Sequence, residues 1–309
     1  MNPLIRAIPG GLVRVFARPY VAGSSLTQAI DAAADLWTER KVMTSLDLLA
    51  EGIESREAVQ ENIQTYLQMI DAVAEDTRFP THESRPTLSL KQSSYTTKPL
   101  ERGGDAEGAR EAVLRISEHA KHKGVRLTVD MESSEWTDFT LETLHALNAA
   151  GHHHVGAVLQ TRLHRTRADL DKLPPKLRVR LVIGIYQEPP AVAIVDKRQM
   201  KERLLEYAGI LLQRGHYVEV GTHDEHYVRR FVDEVVPRLG VGQDRYELQM
   251  LYGVPRDRLV SELVQRGVRC RMYVPFALGW AEATAYLRRR LDEYPAMMLL
   301  VAKNMWSRG

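Results

Sequence analysis

Eight short apolar runs recur along this chain, and a helical pattern follows each of them. The runs cover residues 42–49, 87–94, 125–132, 155–160, 178–186, 217–223, 246–252 and 268–274. Apolar positions at helical spacing fill 55–73, 105–123, 137–149, 164–171, 197–213 and 225–238, then the stretch after Pro255, and last the segment around Tyr286. Gly124 stops the third of these patterned segments when counted from 26–40, and Pro174 with Pro175 stops 164–171. A parallel strand can be reached only by a crossover, so steady β-α alternation gives a parallel sheet. Eight units is the number that closes such a sheet on itself. The expected fold is therefore α/β, a (β/α)8 barrel of the TIM type with extra N-terminal helices.

The segment 26–40 (LTQAIDAAADLWTER) precedes the first run and places Leu26, Ile30, Ala33, Ala34 and Trp37 on one helix face. The reading is one domain over 1–309, with a helical lead-in at 1–40 and the barrel at 41–309. The long connection 76–104 holds Pro80, Pro86, Pro99, Gly103 and Gly104, yet it carries a strand and so does not divide domains. A net charge of +2 gives no electrostatic footprint for nucleic acid. Cys270 is the only cysteine, which excludes an internal disulfide and fits a reducing, cytoplasmic setting. It sits in an apolar run and reads as a buried, inert thiol. Residues 1–23 are broken by Arg6, Pro9, Arg14, Arg18 and Pro19 and do not read as a secretory signal. No apolar run is long enough to span a bilayer.

In such a barrel the functional site lies where strands pass into loops at their C-terminal ends. Those ends carry Asp47 and Glu51, Lys91, Asp130 and Glu132, Gln160 and Arg162, then Arg180, Gly184, Tyr186 and Glu188. Thr222-His223-Asp224, Gln249 and Tyr273 follow on the last three strands. Each has an ordinary structural reading: Lys91 as an edge lysine, Asp130 as a helix cap, His223 as a satisfied loop histidine. Together they line one end with polar groups, which suits a ligand better than a packed core. The final helix reads Y-L-R-R-R-L-D-E over 286–293 and places Tyr286, Arg289, Arg290 and Glu293 on one face. Two adjacent guanidinium forks are suited to a carboxylate.

The ordered segments S-L-K-Q (89–92), V-D-M-E (129–132), V-L-Q (158–160), R-L-V-I-G-I-Y-Q-E-P (180–189), G-T-H-D (221–224), Y-E-L-Q-M-L-Y-G (246–253), R-M-Y-V-P (271–275) and Y-L-R-R-R-L-D-E (286–293) resemble proline dehydrogenase. The likeness is to the short bacterial type, without a fused aldehyde dehydrogenase, and runs from about residue 40 to the C-terminus. It implies FAD as cofactor and oxidation of L-proline to Δ1-pyrroline-5-carboxylate, with a membrane quinone taking the electrons. It also implies a cytoplasmic protein that can sit at the inner face of the membrane, with a pyrroline-5-carboxylate dehydrogenase as a candidate transient partner and no nucleic acid. Arg289 and Arg290 would clamp the proline carboxylate. Glu293 and Lys91 would pair beside the ring, with Asp130 close to Lys91. Tyr273, Tyr286 and Leu251 would wall the substrate, and Tyr186 would support the helix that binds its carboxylate. Arg180 would lie near flavin N5, with Gln160 and Gln249 on the flavin ring. Val182, Gly184, Thr222 and His223 would line the rest of the cofactor.

Departures from the family pattern sharpen the alternatives. Ile183 stands where lysine is usual, Ile185 where alanine is, Asp224 for asparagine and Tyr294 for asparagine. Twelve residues separate Tyr273 from Tyr286, one more than the pattern, and the usual glycine after Pro275 is absent. Three other readings stand beside the leading one: a hydroxyproline dehydrogenase, a lyase using Lys91 as a Schiff-base nucleophile, and a barrel that has lost FAD and acts as a binding protein. The segment 296–306 is apolar enough to meet lipid, with core packing as its ordinary reading.

Overall fold

Local sequence signals set the ends of the elements in the computed structural model, which describes residues 18–50, 53–279, 283, 284 and 288. Helix α1 (Leu26–Arg40) starts at Ser25, whose hydroxyl accepts from Gln28 N, and ends at Lys41 in the left-handed region. Strand β1 (Met43–Leu48) follows, then α2 (Arg56–Glu75), capped by Ser55. After β2 (Thr87–Leu90) comes α3 (Ala106–Lys123), capped by Asp105 and stopped by Gly124 at φ 67°. There the N–H of Val125 closes back on Ala120 O at 2.9 Å, which satisfies a carbonyl the helix leaves open. The alternation continues through β3 (Leu127–Val129), α4 (Thr137–Ala149), β4 (Val155–Gln160), α5 (Thr166–Leu170), β5 (Arg178–Val182), α6 (Lys197–Gln213) and β6 (Tyr217–Gly221). Helix α7 (Glu225–Arg230) precedes β7 (Tyr246–Leu251), and α8 (Asp257–Gln265) precedes β8 (Cys270–Phe276).

All neighbouring strands are parallel, and β8 returns to β1 with Met43 opposite Arg271, so the sheet closes in the order β1 to β8. The expected eight-stranded barrel is the fold. Three strands stop three or four residues short of the ends of their apolar runs. The run 87–94 turns into a 3-10 turn at Gln92–Tyr95, and 178–186 leaves the sheet before Gly184, which has φ 98°. The third strand is confined to Leu127–Val129 within the run 125–132. The helix expected over 225–238 is not uniform: α7 widens into a π turn at Phe231–Val235 before a last turn at Val236–Leu239. Pro237 has no N–H to donate to the preceding turn, which accounts for the break.

Alternate residues along the strands divide the barrel into two chemically distinct shells. Leu46, Leu88, Leu127, Val129, Leu181, Val220, Leu248, Met272 and Val274 belong to the apolar core shared with the helices. Cys270 is in that core, and burial pushes its thiol up to about 12, so it is the inert thiol expected. The other set is polar and faces the barrel interior. Arg180 on β5 reaches hydroxyls of Ser45 on β1 and Ser89 on β2, a span that crosses the lumen. Register lines these groups up, with Arg180 opposite Glu219, Glu219 opposite Glu247, and Gln249 opposite Arg271. A barrel of this type usually fills its interior with branched apolar residues. This one fills it with paired charges.

The deepest pair is Arg271 with Glu247, both side chains 0% exposed. Arg271 Nη2 lies 3.1 Å from Glu247 Oε2, while Nη1 donates to Thr44 O at 2.7 Å and to Thr87 Oγ1 at 3.1 Å. Tyr217 adds a hydroxyl to Glu247 Oε2 at 2.9 Å. Burial alone would favour the neutral carboxyl, yet the guanidinium beside it holds Glu247 well below the usual carboxylate range. Arg271→Met is expected to cost ~3–5 kcal/mol in urea unfolding, because it strands a buried carboxylate. The double variant Arg271→Met, Glu247→Leu should recover much of that loss. A double variant no more stable than the single would contradict the account.

Candidate active site

The mouth formed by the C-terminal strand ends gathers most of the side chains singled out from the sequence. Lys91 is the first residue beyond β2 and Asp130 the first beyond β3, because both strands give way to turns at those points. Gln160 ends β4, Arg180 lies within β5, Gly184 is two residues beyond β5, and Leu251 ends β7 opposite Tyr273 of β8. Tyr252 N donates to Tyr273 O at 2.9 Å, which fixes the last two strands to each other at the mouth.

Three of these residues form one bonded unit. Arg180 Nη1 donates to Asp130 Oδ1 at 2.8 Å, and Tyr273 Oη donates to Asp130 Oδ2 at 2.7 Å. The guanidinium also lies 5.2 Å from the centre of the Tyr273 ring. Burial opposes a charge on Arg180, but Asp130 and Glu219 more than offset it and hold the guanidinium protonated. Tyr273 is kept neutral by burial first and by the carboxylates of Asp130 and Asp47 next. The unit thus presents a fixed cation and a phenol whose proton is committed to a carboxylate.

Lys91 pairs with Asp47, its Nζ 2.5 Å from Oδ1, with side-chain exposures of 13% and 2%. Asp47 stood at a strand end in the sequence without an assigned role. Gln160 donates from Nε2 to Glu132 O at 2.6 Å, which leaves Oε1 buried and without a hydrogen bond among the described residues. Burial raises the Glu132 carboxyl, against the opposing pull of its bond from Ser93 N. Gln249 places Nε2 between two carboxylates, 2.6 Å from Glu219 Oε2 and 2.7 Å from Glu247 Oε1. His223 Nε2 accepts from Leu251 N at 2.7 Å, which ties the loop after β6 to the end of β7. Thr222 N donates to Gln249 O at 3.1 Å, and Thr222 Oγ1 accepts from Asp224 N at 3.2 Å. Asp224 also holds Lys201 at 2.5 Å and caps α7 through His226 N.

The loop beyond β5 is tied down on both sides. Arg162 bonds Tyr186 O, and Glu188 accepts from Ser134 N and from Ser134 Oγ, each at 2.7 Å. Val182 lies opposite Gly221, where a Cβ would come within 2.8 Å of Val182 Cγ1. At Gly184 a Cβ would meet Gln160 Oε1 at 2.2 Å, on top of a backbone φ of 98° that other residues avoid. Ile185 is exposed, whereas Ile183 is half-buried and its carbonyl accepts from Arg162 N at 3.2 Å. Tyr286, Arg289, Arg290 and Glu293, with the apolar segment 296–306, lie outside the described residues.

Two partners went unrecognised in the sequence. Glu219 bonds Gln249, pairs with Arg178 at 2.9 Å and lies 3.4 Å from Arg180 Nε. Its signal was a lone acid in the apolar run Y-V-E-V-G, on the strand next to one with arginine at alternate positions. Glu188 was noted by position alone, and its tie to Ser134 joins two loops 54 residues apart.

A sequence model of the family described as proline dehydrogenase matches residues 29–189 and 195–300. The chain belongs to the proline dehydrogenase family. It is 36% identical to a proline dehydrogenase of Deinococcus radiodurans over 298 residues, covering 94% of this chain and 89% of that one. Proline dehydrogenase 2 of Bacillus subtilis strain 168 is 30% identical over 295 residues, covering 94% and 91%. Among solved structures, proline utilization A (PutA) of Bdellovibrio bacteriovorus, inactivated by N-propargylglycine, superposes with a TM-score of 0.79 at 20% identity. That match covers 90% of this chain and 32% of the PutA chain, so this chain spans about a third of it and shares its barrel fold. A PutA of Bradyrhizobium japonicum gives a TM-score of 0.74 at 20% identity, over 89% of this chain and 30% of that one.

As a member of the proline dehydrogenase family, the chain brings Lys91, Asp130, Gln160, Leu251 and Tyr273 to the mouth of one barrel. Gly184→Ala is expected to displace Gln160 and to cost ~1–3 kcal/mol in urea unfolding, from backbone strain and the steric overlap together. A variant as stable as the parent would show that β5 exits the barrel by a different path.

Proposed function

We propose that this chain oxidises L-proline to Δ1-pyrroline-5-carboxylate using FAD, as the first step of proline catabolism, with a membrane quinone as the final acceptor. The observation that carries this reading is the bonded unit of Arg180, Asp130 and Tyr273 at the mouth of a family barrel. FAD, when bound, supplies a two-electron hydride acceptor. The residues present suit it. Gln160 Oε1 is a buried acceptor in want of a donor, Gly184 keeps side-chain atoms away from that oxygen, and Arg180 is a permanent cation beside it in the sheet. Arg180, Gln160 and Gln249 would hold the ring, with Val182, Gly184, Thr222 and His223 along the remainder.

Substrate roles are those that the family resemblance implies. Arg289 and Arg290 would bind the proline carboxylate as a fork pair, which fixes the ring carbon that loses hydride. Tyr273, held through Asp130, gives that ring a rigid wall, and Leu251 packs beside it, with Tyr286 as the second aromatic wall. Tyr186, its carbonyl held by Arg162, would steady the helix that carries the arginine pair. Lys91 is an ammonium paired to Asp47 and would meet Glu293 on its other side. An ammonium has no acceptor capacity, so the amine proton of proline is released to water rather than to Lys91. The same pairing speaks against a Schiff-base lyase, which needs the free amine. No helix among the described residues is long and apolar enough to cross a membrane. The reading places the protein in the cytoplasm, meeting its quinone, and transiently a pyrroline-5-carboxylate dehydrogenase, from the inner membrane face.

Arg289→Met and Arg290→Met should each raise KM for proline strongly, since truncating one partner of a desolvated charge pair costs ~2–5 kcal/mol. Steady-state assays with an artificial electron acceptor, with the product trapped as it forms, read this directly. Unchanged proline kinetics in both variants would remove the carboxylate clamp from the reading.

A further inference from the structure

Glu219 sits at the junction between the barrel floor and Gln249 and Arg180, two of the three side chains assigned to the cofactor ring. It is 1% exposed. One oxygen takes Arg178 at 2.9 Å. The other takes Gln249 Nε2 at 2.6 Å and lies 3.4 Å from Arg180 Nε. Gln249 is held by Glu247 as well, 2.7 Å from the same nitrogen. An amide nitrogen between two carboxylates is the only sensible orientation, because the reverse would set an amide oxygen against two anions. Both amide hydrogens are thereby used. The Gln249 Oε1 turns away from both acids, so Gln249 can offer a ligand only an acceptor.

The charges in this cluster are paired around Glu219, with Arg126 as a further cation near Glu247 and Glu219. Arg178 and Arg180 are matched by Glu219 and Asp130, and Arg271 by Glu247. Removing the Glu219 charge would leave Arg178 without its carboxylate and add one net positive charge beneath the mouth, in a region with little water to screen it. A buried positive charge favours the form of a nearby redox group that carries more electrons.

We propose that Glu219 is a positioning residue of the oxidation: it turns Gln249 into a fixed acceptor, braces Arg180, and by its charge sets the reduction potential of the flavin. This rests on the FAD-dependent reading given above. A purely structural brace would affect stability and leave the potential alone.

The test measures the two-electron potential of the FAD-loaded protein against a reference dye, in the parent and in Glu219→Gln. The expected result is a more positive potential, equivalent to about a tenfold shift in the oxidised-to-reduced equilibrium, or about 30 mV. An unchanged potential in a folded, FAD-loaded Glu219→Gln would overturn the proposal. Gln249→Met tests the orientation separately and decides the matter where Glu219→Gln does not fold. It keeps Glu219 and both arginines, so it should weaken FAD binding about tenfold by fluorescence titration and shift the oxidised-to-reduced equilibrium by less than about threefold. FAD held as tightly as in the parent would overturn the acceptor role of Gln249. A parent protein that takes up no FAD, or whose FAD is not reduced by proline, would instead overturn the functional reading, and this inference with it.

Discussion

The closed barrel depends on charge pairing inside its own lumen. Arg271, Arg178 and Arg180 project inward from strands whose outward residues form the apolar core. Placing guanidinium groups there is tolerable only because Glu247, Glu219 and Asp130 meet them and a carbonyl of β1 with hydroxyls of β2 and β3 accept from further donors. Such pairs add little net stability compared with an apolar filling, but a half-broken pair is severely destabilising. The network therefore specifies register: a one-residue slip of any strand would turn its charges into the oily shell beneath the helices.

The same network explains how the mouth is made rigid. Each polar layer rests on the one below, from Arg271 and Glu247 through Gln249 and Glu219 to Arg180 and Asp130, and last to Tyr273. A reaction that transfers hydride needs orientation more than acid or base groups. Side chains tied to several neighbours at once swing little, so their charge and direction are set before any ligand arrives. Lys91, fixed by Asp47, belongs to the same design on the opposite side of the lumen from β5.

Much of the fold was legible because the barrel's outer shell writes a simple pattern. Alternating apolar residues mark the strands, and Ser25, Ser55, Asp105, Asp196 and Gly124 mark helix ends through local bonds that need no tertiary context. Helices 26–40 and 197–213 were read to their final residue for that reason. Strand ends were harder, since Gln92 and Gly184 leave the sheet through turn geometry while the sequence stays strand-like. Of the site, the residue positions could be read but not their pairings. Asp47 had no assigned partner, yet it holds Lys91, and Asp130 is bonded to Arg180 and Tyr273, while the expected pairing of Lys91 with Glu293 lies outside the described residues. Partner choice depends on which strands face one another across the lumen, and no local spacing encodes that. Glu219 was passed over because one acid in an apolar strand looks like a defect until its arginines are seen opposite.

The most direct measurement is the visible spectrum of the purified protein, recorded anaerobically before and after L-proline. The account predicts flavin absorption bands that bleach when proline is added. A protein that shows no flavin even after incubation with FAD, or flavin bands that proline leaves unchanged, would contradict it.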